Sequence, residues 1–186
     1  MELYKKVKKF VINSSKGSST KHYERTTYWI KQLKPNADEA LLIAAIAHDI
    51  ERVFRDKKKT YYEIRKKKVG MTDKNFLDYH QTTSAKIIGN FLEKHNADKN
   101  LIKRVKMLVS KHEVGGNKNQ NLLKDADSIS FFENNLKDFL KNKLKIFGKQ
   151  KIRQKFDWMY DRITSRKAKQ IAKKWYEKAI KELEES

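Results

Sequence analysis

The residues of this chain best suited to chemistry are its five histidines and a few carboxylates that fall near them. The dipeptide His48-Asp49 ends the most apolar stretch of the sequence, Ala40-Leu41-Leu42-Ile43-Ala44-Ala45-Ile46-Ala47. A helix that is apolar nearly all round is a buried helix. An ionised carboxylate at its end is costly unless it is paired, hydrogen-bonded or bound to a cation. An imidazole beside a carboxylate is a donor set for a divalent transition metal. Further donors stand at His22, His80 and His112, and an acidic pair, Asp125 and Asp127, falls within Leu122-Leu123-Lys124-Asp125-Ala126-Asp127-Ser128-Ile129. With no cysteine there is neither a disulfide framework nor a thiolate metal site. A metal would be held by imidazole and carboxylate, a set that suits Mn, Fe, Mg, Zn or Ni.

The ordered series His22, His48-Asp49, His80, His112 and Asp127 resembles the HD-domain superfamily of metal-dependent phosphohydrolases. The local contexts are similar too: the apolar run into His48-Asp49-Ile50, the segment His80-Gln81-Thr82-Thr83-Ser84-Ala85-Lys86-Ile87-Ile88, and Lys124-Asp125-Ala126-Asp127-Ser128-Ile129. The resemblance covers residues 18 to 135 or thereabouts. It implies an all-α, single-domain HD-type helical bundle that binds one or two divalent metal ions. With one metal, His22, His48, Asp49 and Asp127 are the implied ligands. With two, His80 and His112 hold the second and Asp49 bridges, since a carboxylate has two oxygens to offer. Several HD nucleotidases carry a catalytic acid three or four residues after the HD aspartate. Here those positions are Arg52 and Val53, and Glu51 stands one residue early.

Each candidate also has a plainer reading. His80 and His112 project from apolar helix faces, where a histidine can simply be a hydrogen-bonded core residue. His95 follows Leu92-Glu93-Lys94 at a helix C-terminus and is expected to be structural or exposed. Asp125 and Asp127 are two apart, so a helix points them in different directions. The family order favours Asp127 as the ligand, leaving Asp125 to support it or to serve as a helix charge. Arg52, one helical turn from His48, is the first candidate for a phosphate contact. Lys59 and Arg65 are weaker ones, in a segment where Lys57-Lys58-Lys59 and Lys66-Lys67-Lys68 flank Tyr61 and Tyr62. Such lysine runs are also ordinary solvated faces. Glu51 is a candidate for ordering a nucleophilic water.

The elements that must position these residues are helices. One proline and six glycines in 186 residues leave few tight turns. The patterning predicts helices over 2–13, 21–34, about 38–54, 73–95, 98–113 and from 121 through Asp127. Thr20 and Asp38 are candidate N-caps. Pro35-Asn36 breaks the second helix, and Gly115-Gly116 ends the fifth. The lysine-rich residues 55–71 are expected to form a loop or short helix. Two apolar stripes follow in residues 136–184: Ile152, Phe156, Met159, Ile163, then Ile171, Trp175, Ala179, Leu183. With no repeat and no linker, residues 1–186 are expected to form one domain, the C-terminal helices completing the bundle.

No apolar run approaches the ~20 residues needed to span a bilayer, and the N-terminus lacks a signal-peptide pattern, so a cytoplasmic protein without a membrane partner is expected. The net charge of +21 comes mostly from lysine. It suits polyanions or phosphorylated substrates, although a Lys- and Asn-rich composition can also arise from base composition alone.

The function expected from the resemblance is hydrolysis of a phosphate ester, of a nucleotide or another small phosphorylated metabolite, by metal-activated water. Asp49, Arg52 and Glu51 are the residues assigned to that step. Three alternatives stand beside it: an HD-type nuclease or nucleic-acid-binding protein using the basic surface, a di-iron HD oxygenase, and a non-catalytic module with structural metal.

Overall fold

The computed structural model describes residues 1–15, 20–56 and 71–186. Every regular element among them is helical, and the fold is all-α. The predicted loop over 55–71 falls almost wholly outside the described residues, as do Lys59 and Arg65.

The chain opens with α1 (Glu2–Ser15) and α2 (Thr20–Leu33), whose first helical residue is Thr20 itself. It continues with α3 (Glu39–Ala47) and a short α4 (Glu51–Phe54). Asp38 caps α3, accepting from Leu41 N at 3.0 Å. All residues of α3 from Ala40 to Ala47 are buried, as an unbroken apolar run requires. The expected helix from 38 to 54 is interrupted at His48–Ile50, and the physical reason is local. The His48 side chain engages the Ala45 carbonyl at 2.8 Å. Backbone bonds from Ile50, Arg52 and Val53 then run back only three residues, to Ala47, Asp49 and Ile50. This tightened turn lets the adjacent residues His48 and Asp49 both face inward, which a regular helix would prevent.

Next come α5 (Lys74–Lys94), capped by Asp73, and α6 (Lys99–Val109), capped by Asp98. The buried face of α5 includes Leu77, His80, Gln81, Ser84, Ala85 and Ile88. α6 ends at Val109, four residues before the predicted end, so His112 sits on the turn that follows and not on a helix face. Gly115 closes that turn at φ 79°, in the left-handed region, and an added Cβ there would run into Asn121 Oδ1, so this position favours glycine.

α7 (Lys118–Asn134) begins with a capping box between Asn117 and Gln120. It is buried continuously from Leu123 to Phe132 and forms the spine of the molecule. An irregular helical run over Leu136–Phe147, with a π-helical segment at Phe139–Lys143, leads to α8 (Lys149–Asp161) and α9 (Arg166–Glu184).

Two apolar clusters flank the spine. The first joins α1, α2, α3, α5 and α6 to Leu123 and Ala126 of α7. The second joins Ile129, Phe131 and Phe132 of α7 to α8 and α9. The stripe Ile152, Phe156, Met159, Ile163 lies in the second cluster, with Ala179 and Leu183 buried and Ile171 and Trp175 packed against it. Asp127, Ser128 and Ser130 fall at the seam between the two clusters, on a helix with no solvent-facing side along this stretch. Among the described residues, no helix is long and apolar enough to cross a membrane.

Candidate metal centre

Every polar group on a buried helix needs a partner, and α7 finds its partners across the seam. Asp125 accepts from the backbone N–H groups of Thr164 and Ser165, both at 2.8 Å, which anchors the start of α9. Lys124 Nζ donates to Thr164 Oγ1 at 2.8 Å. Ser128 Oγ accepts from Arg162 Nε at 2.8 Å. Asp127 turns the other way, toward His22 and His48. The two aspartates therefore do different work: Asp125 holds backbone, and Asp127 faces the histidines.

Four of the five histidines meet in one buried place. His22–His48, His48–His112 and His80–His112 ring centroids are 5.2, 5.1 and 5.1 Å apart. All four residues are at most 4% exposed. His95 stays outside, where its Nδ1 reaches the Phe91 carbonyl at 2.8 Å and its ring stacks on Phe91.

The ring nitrogens are sorted by their outer partners. Nδ1 of His48 and of His112 each lie 2.8 Å from a backbone carbonyl, those of Ala45 and Val109, which can only accept. Ser130 Oγ donates its proton to the His22 carbonyl at 2.8 Å, so at 2.9 Å it must accept from His22 Nδ1. His80 Nδ1 lies 2.7 Å from the Glu51 carboxylate. Burial pushes the Glu51 carboxyl up, but His80 and Arg55 overcome this and hold it at about 2, so it accepts. All four imidazoles thus spend a proton outward from Nδ1. In the neutral tautomer this leaves four Nε2 lone pairs directed at one another and at carboxylates. Nε2 of His48 is 3.3 Å from Nε2 of His22, and Nε2 of His112 is buried without a hydrogen-bond partner.

These atoms divide into two groups that could each hold a metal ion: His22, His48 and Asp127, and Asp49, His80, His112 and Glu113. Within each group one donor atom per residue lies within 4.8 Å of the others. Asp49 faces both. Its Oδ1 is 2.7 Å from His80 Nε2 and 3.5 Å from His112 Nε2, and its Oδ2 is 3.7 and 3.9 Å from His22 and His48. The structure brings together all six residues singled out as ligands in the sequence and adds a seventh, Glu113. That residue has one sequence signal, its position immediately after His112. Its backbone N–H donates to Gln81 Oε1 at 3.4 Å, which ties the turn to α5.

Cations surround the centre. Arg52 Nε is 2.8 Å from Asp49 Oδ2, and its Nη2 is 3.5 Å from Glu113. Arg162, at the C-terminus of α8, donates from Nη1 to Glu113 Oε2 at 2.5 Å and to the Glu113 carbonyl at 3.1 Å. Its Nη2 donates to Asp127. Nothing in the spacing of the C-terminal helices points to this role. Glu51, expected to order a water, is instead bonded to His80 and to both Nε and Nη2 of Arg55.

The electrostatics follow from burial set against these partners. Desolvation raises Asp49 and Asp127, yet Arg52 with His48, and Arg162 with His48, hold both well below the usual carboxylate range. Glu113 is likewise lowered, chiefly by Arg162. Burial lowers His48, but Asp49 and Asp127 outweigh it and hold the imidazole at about 9. His112 is lowered by burial. A cavity of about 350 Å³ opens beside the centre, with Glu113 and Arg162 in its wall together with Lys74, Gln81, Lys111 and Trp158.

Fold and site thus define an all-helical protein with a buried imidazole–carboxylate centre ringed by arginines. A family model described as a domain of unknown function, DUF4202, matches residues 6–183, and the chain belongs to that family. Neither the curated proteins nor the solved structures searched give a match.

Proposed function

We propose that the protein is a metal-dependent phosphohydrolase acting on a small phosphate ester, with a nucleotide as the first substrate class to test. The observation that carries this reading is the outward commitment of all four Nδ1 protons. It gathers four buried Nε2 atoms and three carboxylates in one space, and each Nε2 becomes an acceptor once its imidazole is neutral. Such a donor set fits one or two divalent cations. The order of the ligands along the chain, similar to that of HD-domain hydrolases, supports the same reading.

The residues divide the work. His22, His48 and Asp127 would hold one ion, and His80, His112 and Glu113 a second, with Asp49 between them. Bound there, the ions would lower the pKa of a water and polarise a phosphoryl oxygen. Glu51 orients His80 through its Nδ1 proton. Arg52, 40% exposed along its side chain, can leave Asp49 and meet substrate phosphate. Arg162 aligns Glu113 with Asp127. The cavity bounded by Lys111 and Trp158 supplies room for the rest of a small substrate.

The test is metal content followed by turnover. Protein purified without chelator is assayed for bound metal, alone and as Asp49→Ala and His112→Ala, and then screened on phosphate esters with Mn, Fe, Mg and Ni. Roughly two equivalents in the wild type, one lost in His112→Ala, and hydrolysis abolished in Asp49→Ala is the expected result. A wild-type chain that neither carries nor takes up these ions would sink the proposal.

A further inference from the structure

Among the described residues, Lys155 is a buried cation near the centre that the ligand set leaves unexplained. It lies on α8 in the stretch that also buries Ile152, Phe156 and Met159, and it is 6% exposed. Among the described residues its ammonium takes no hydrogen bond and no ion pair; Nζ lies over the Trp158 ring, 4.2 Å from the centroid, and the same ring carries the Arg162 guanidinium at 4.6 Å. A buried ammonium without a hydrogen-bond acceptor is costly. Burial pushes it down to about 8, and the charges it feels are those of the metal centre: Glu113 and Asp127 hold it up, Arg162 and Arg52 push it further down. Its stem is long enough to cover apolar surface anywhere, so packing alone does not call for a charge at this spot.

A charge count gives it a purpose. Glu51 is closed off in its pair with Arg55. That leaves Asp49, Glu113 and Asp127 facing Arg52, Lys155 and Arg162, three negative charges against three positive. Arg52 and Arg162 are paired with the same carboxylates that would ligate metal. Two divalent ions taken up by these carboxylates would leave the centre with four positive charges in excess. An anion of two or more charges offsets much of that excess, and Arg162 lies in the wall of the adjoining cavity, where such an anion can enter.

We infer that Lys155, together with Arg52 and Arg162, forms the phosphate-binding subsite of this centre, with Lys155 as a substrate-phosphate ligand supplied by the C-terminal helices. Among the described residues the ammonium has no protein acceptor, and the phosphoryl oxygens would provide one. The inference rests on the metal-centre reading for the excess of charge.

The experiment titrates inorganic phosphate into the full-length, manganese-loaded protein by calorimetry, as wild type, Lys155→Met and Lys155→Arg. Bound manganese is measured on each sample, and the melting temperature of each metal-free protein is recorded. Expected are equal manganese in all three, phosphate affinity weakened about tenfold in Lys155→Met and largely kept in Lys155→Arg. Metal-free Lys155→Met should also melt above the wild type, because an unpaired buried charge has been removed. Phosphate affinity within twofold of wild type in Lys155→Met overturns the inference. So does a lower melting temperature, which would mark the lysine as structural. If the wild type takes up no manganese, it is the metal reading that fails. The same titration on metal-free protein then decides the subsite by whether phosphate affinity still depends on Lys155.

Discussion

Replacing Glu51 with alanine should weaken one metal and spare the other. Glu51 touches no predicted ligand except His80, whose Nδ1 is 2.7 Å from its carboxylate. That bond keeps a proton on Nδ1, so Nε2, which is 2.7 Å from Asp49 and donates to it without metal, is the nitrogen that can give up its proton and ligate. Without the carboxylate the imidazole can adopt the other tautomer, which presents a proton to the metal. Loss of such an outer partner typically costs 10–100-fold in metal affinity, about 1.4 to 2.7 kcal/mol. The group of His22, His48 and Asp127 has its own outer partners in Ser130 and Ala45, neither of which Glu51 contacts. Competition between metal-free protein and a chromogenic chelator resolves the two affinities. The expected result is one class of site weakened by one to two orders of magnitude and the other within a factor of about three. Glu51→Gln, which keeps a neutral acceptor, should fall between. Equal weakening of both sites, or no weakening in a variant that stays folded, would refute the assignment of Glu51 as the residue that orients His80.

Three further outcomes follow from the same contacts. Arg162→Ala leaves Glu113 and Asp127 buried without their main cation, and should destabilise metal-free protein by roughly 3 to 5 kcal/mol. Added manganese should restore much of that, so the melting-temperature gap to wild type should narrow with metal; a gap of the same size with and without metal would count against shared neutralisation. Acid should destabilise the metal-free fold through Glu51, whose carboxyl falls from the ordinary 4.5 to about 2 on folding. A depressed carboxylate contributes stability above its unfolded value and loses it as pH drops through the window from 4.5 to 2. Denaturant titrations of Glu51→Gln should therefore lose about 2 kcal/mol less than wild type between pH 6 and pH 3. Asp125→Ala removes the acceptor of two backbone N–H groups at the start of α9 and should cost about 1 to 3 kcal/mol. It should leave metal uptake intact, whereas Asp127→Ala should lower it; the reverse order in metal assays would exchange the two roles.

The parts of the fold legible in the sequence were those written in local patterns. α3 is apolar all round and is buried all round, and the spacing of Leu77, His80, Ser84 and Ile88 marks the inner face of α5. Of the six residues in ligand order, His22, His80 and Asp127 lie on helices α2, α5 and α7, and His48, Asp49 and His112 lie on the turns that follow α3 and α6. The break at His48–Ile50 was not legible, because nothing in Ala47-His48-Asp49-Ile50 forbids a helix; a side chain reaching back to the Ala45 carbonyl and a run of shorter backbone bonds produce it. The early end of α6 escaped for a similar reason. Ser110–Val114 is compatible with helix, and the turn is held by a bond to Gln81 and by Gly115. Glu113, Arg162 and Lys155 lie furthest from sequence reasoning. Arg162 meets Glu113 and Asp127 across 49 and 35 residues, and no period connects positions so far apart.

Those long-range pairs explain how so polar a centre can be buried at all. Three carboxylates and four imidazoles at the seam of two apolar clusters would be expensive in the absence of cations. Arg52 and Arg162 supply positive charge while no metal is bound, each by holding a carboxylate that a metal would need. The polypeptide can then fold without metal, and on the proposed function metal binding would be an exchange of one cation for another on Asp49, Glu113 and Asp127. That exchange would set free two guanidinium groups beside an ammonium that has no protein acceptor among the described residues. On the proposed function, uptake of metal and attraction of a phosphate would be one electrostatic event in two steps. The C-terminal helices carry Lys155 and Arg162 to the centre, so they complete the site as well as the bundle.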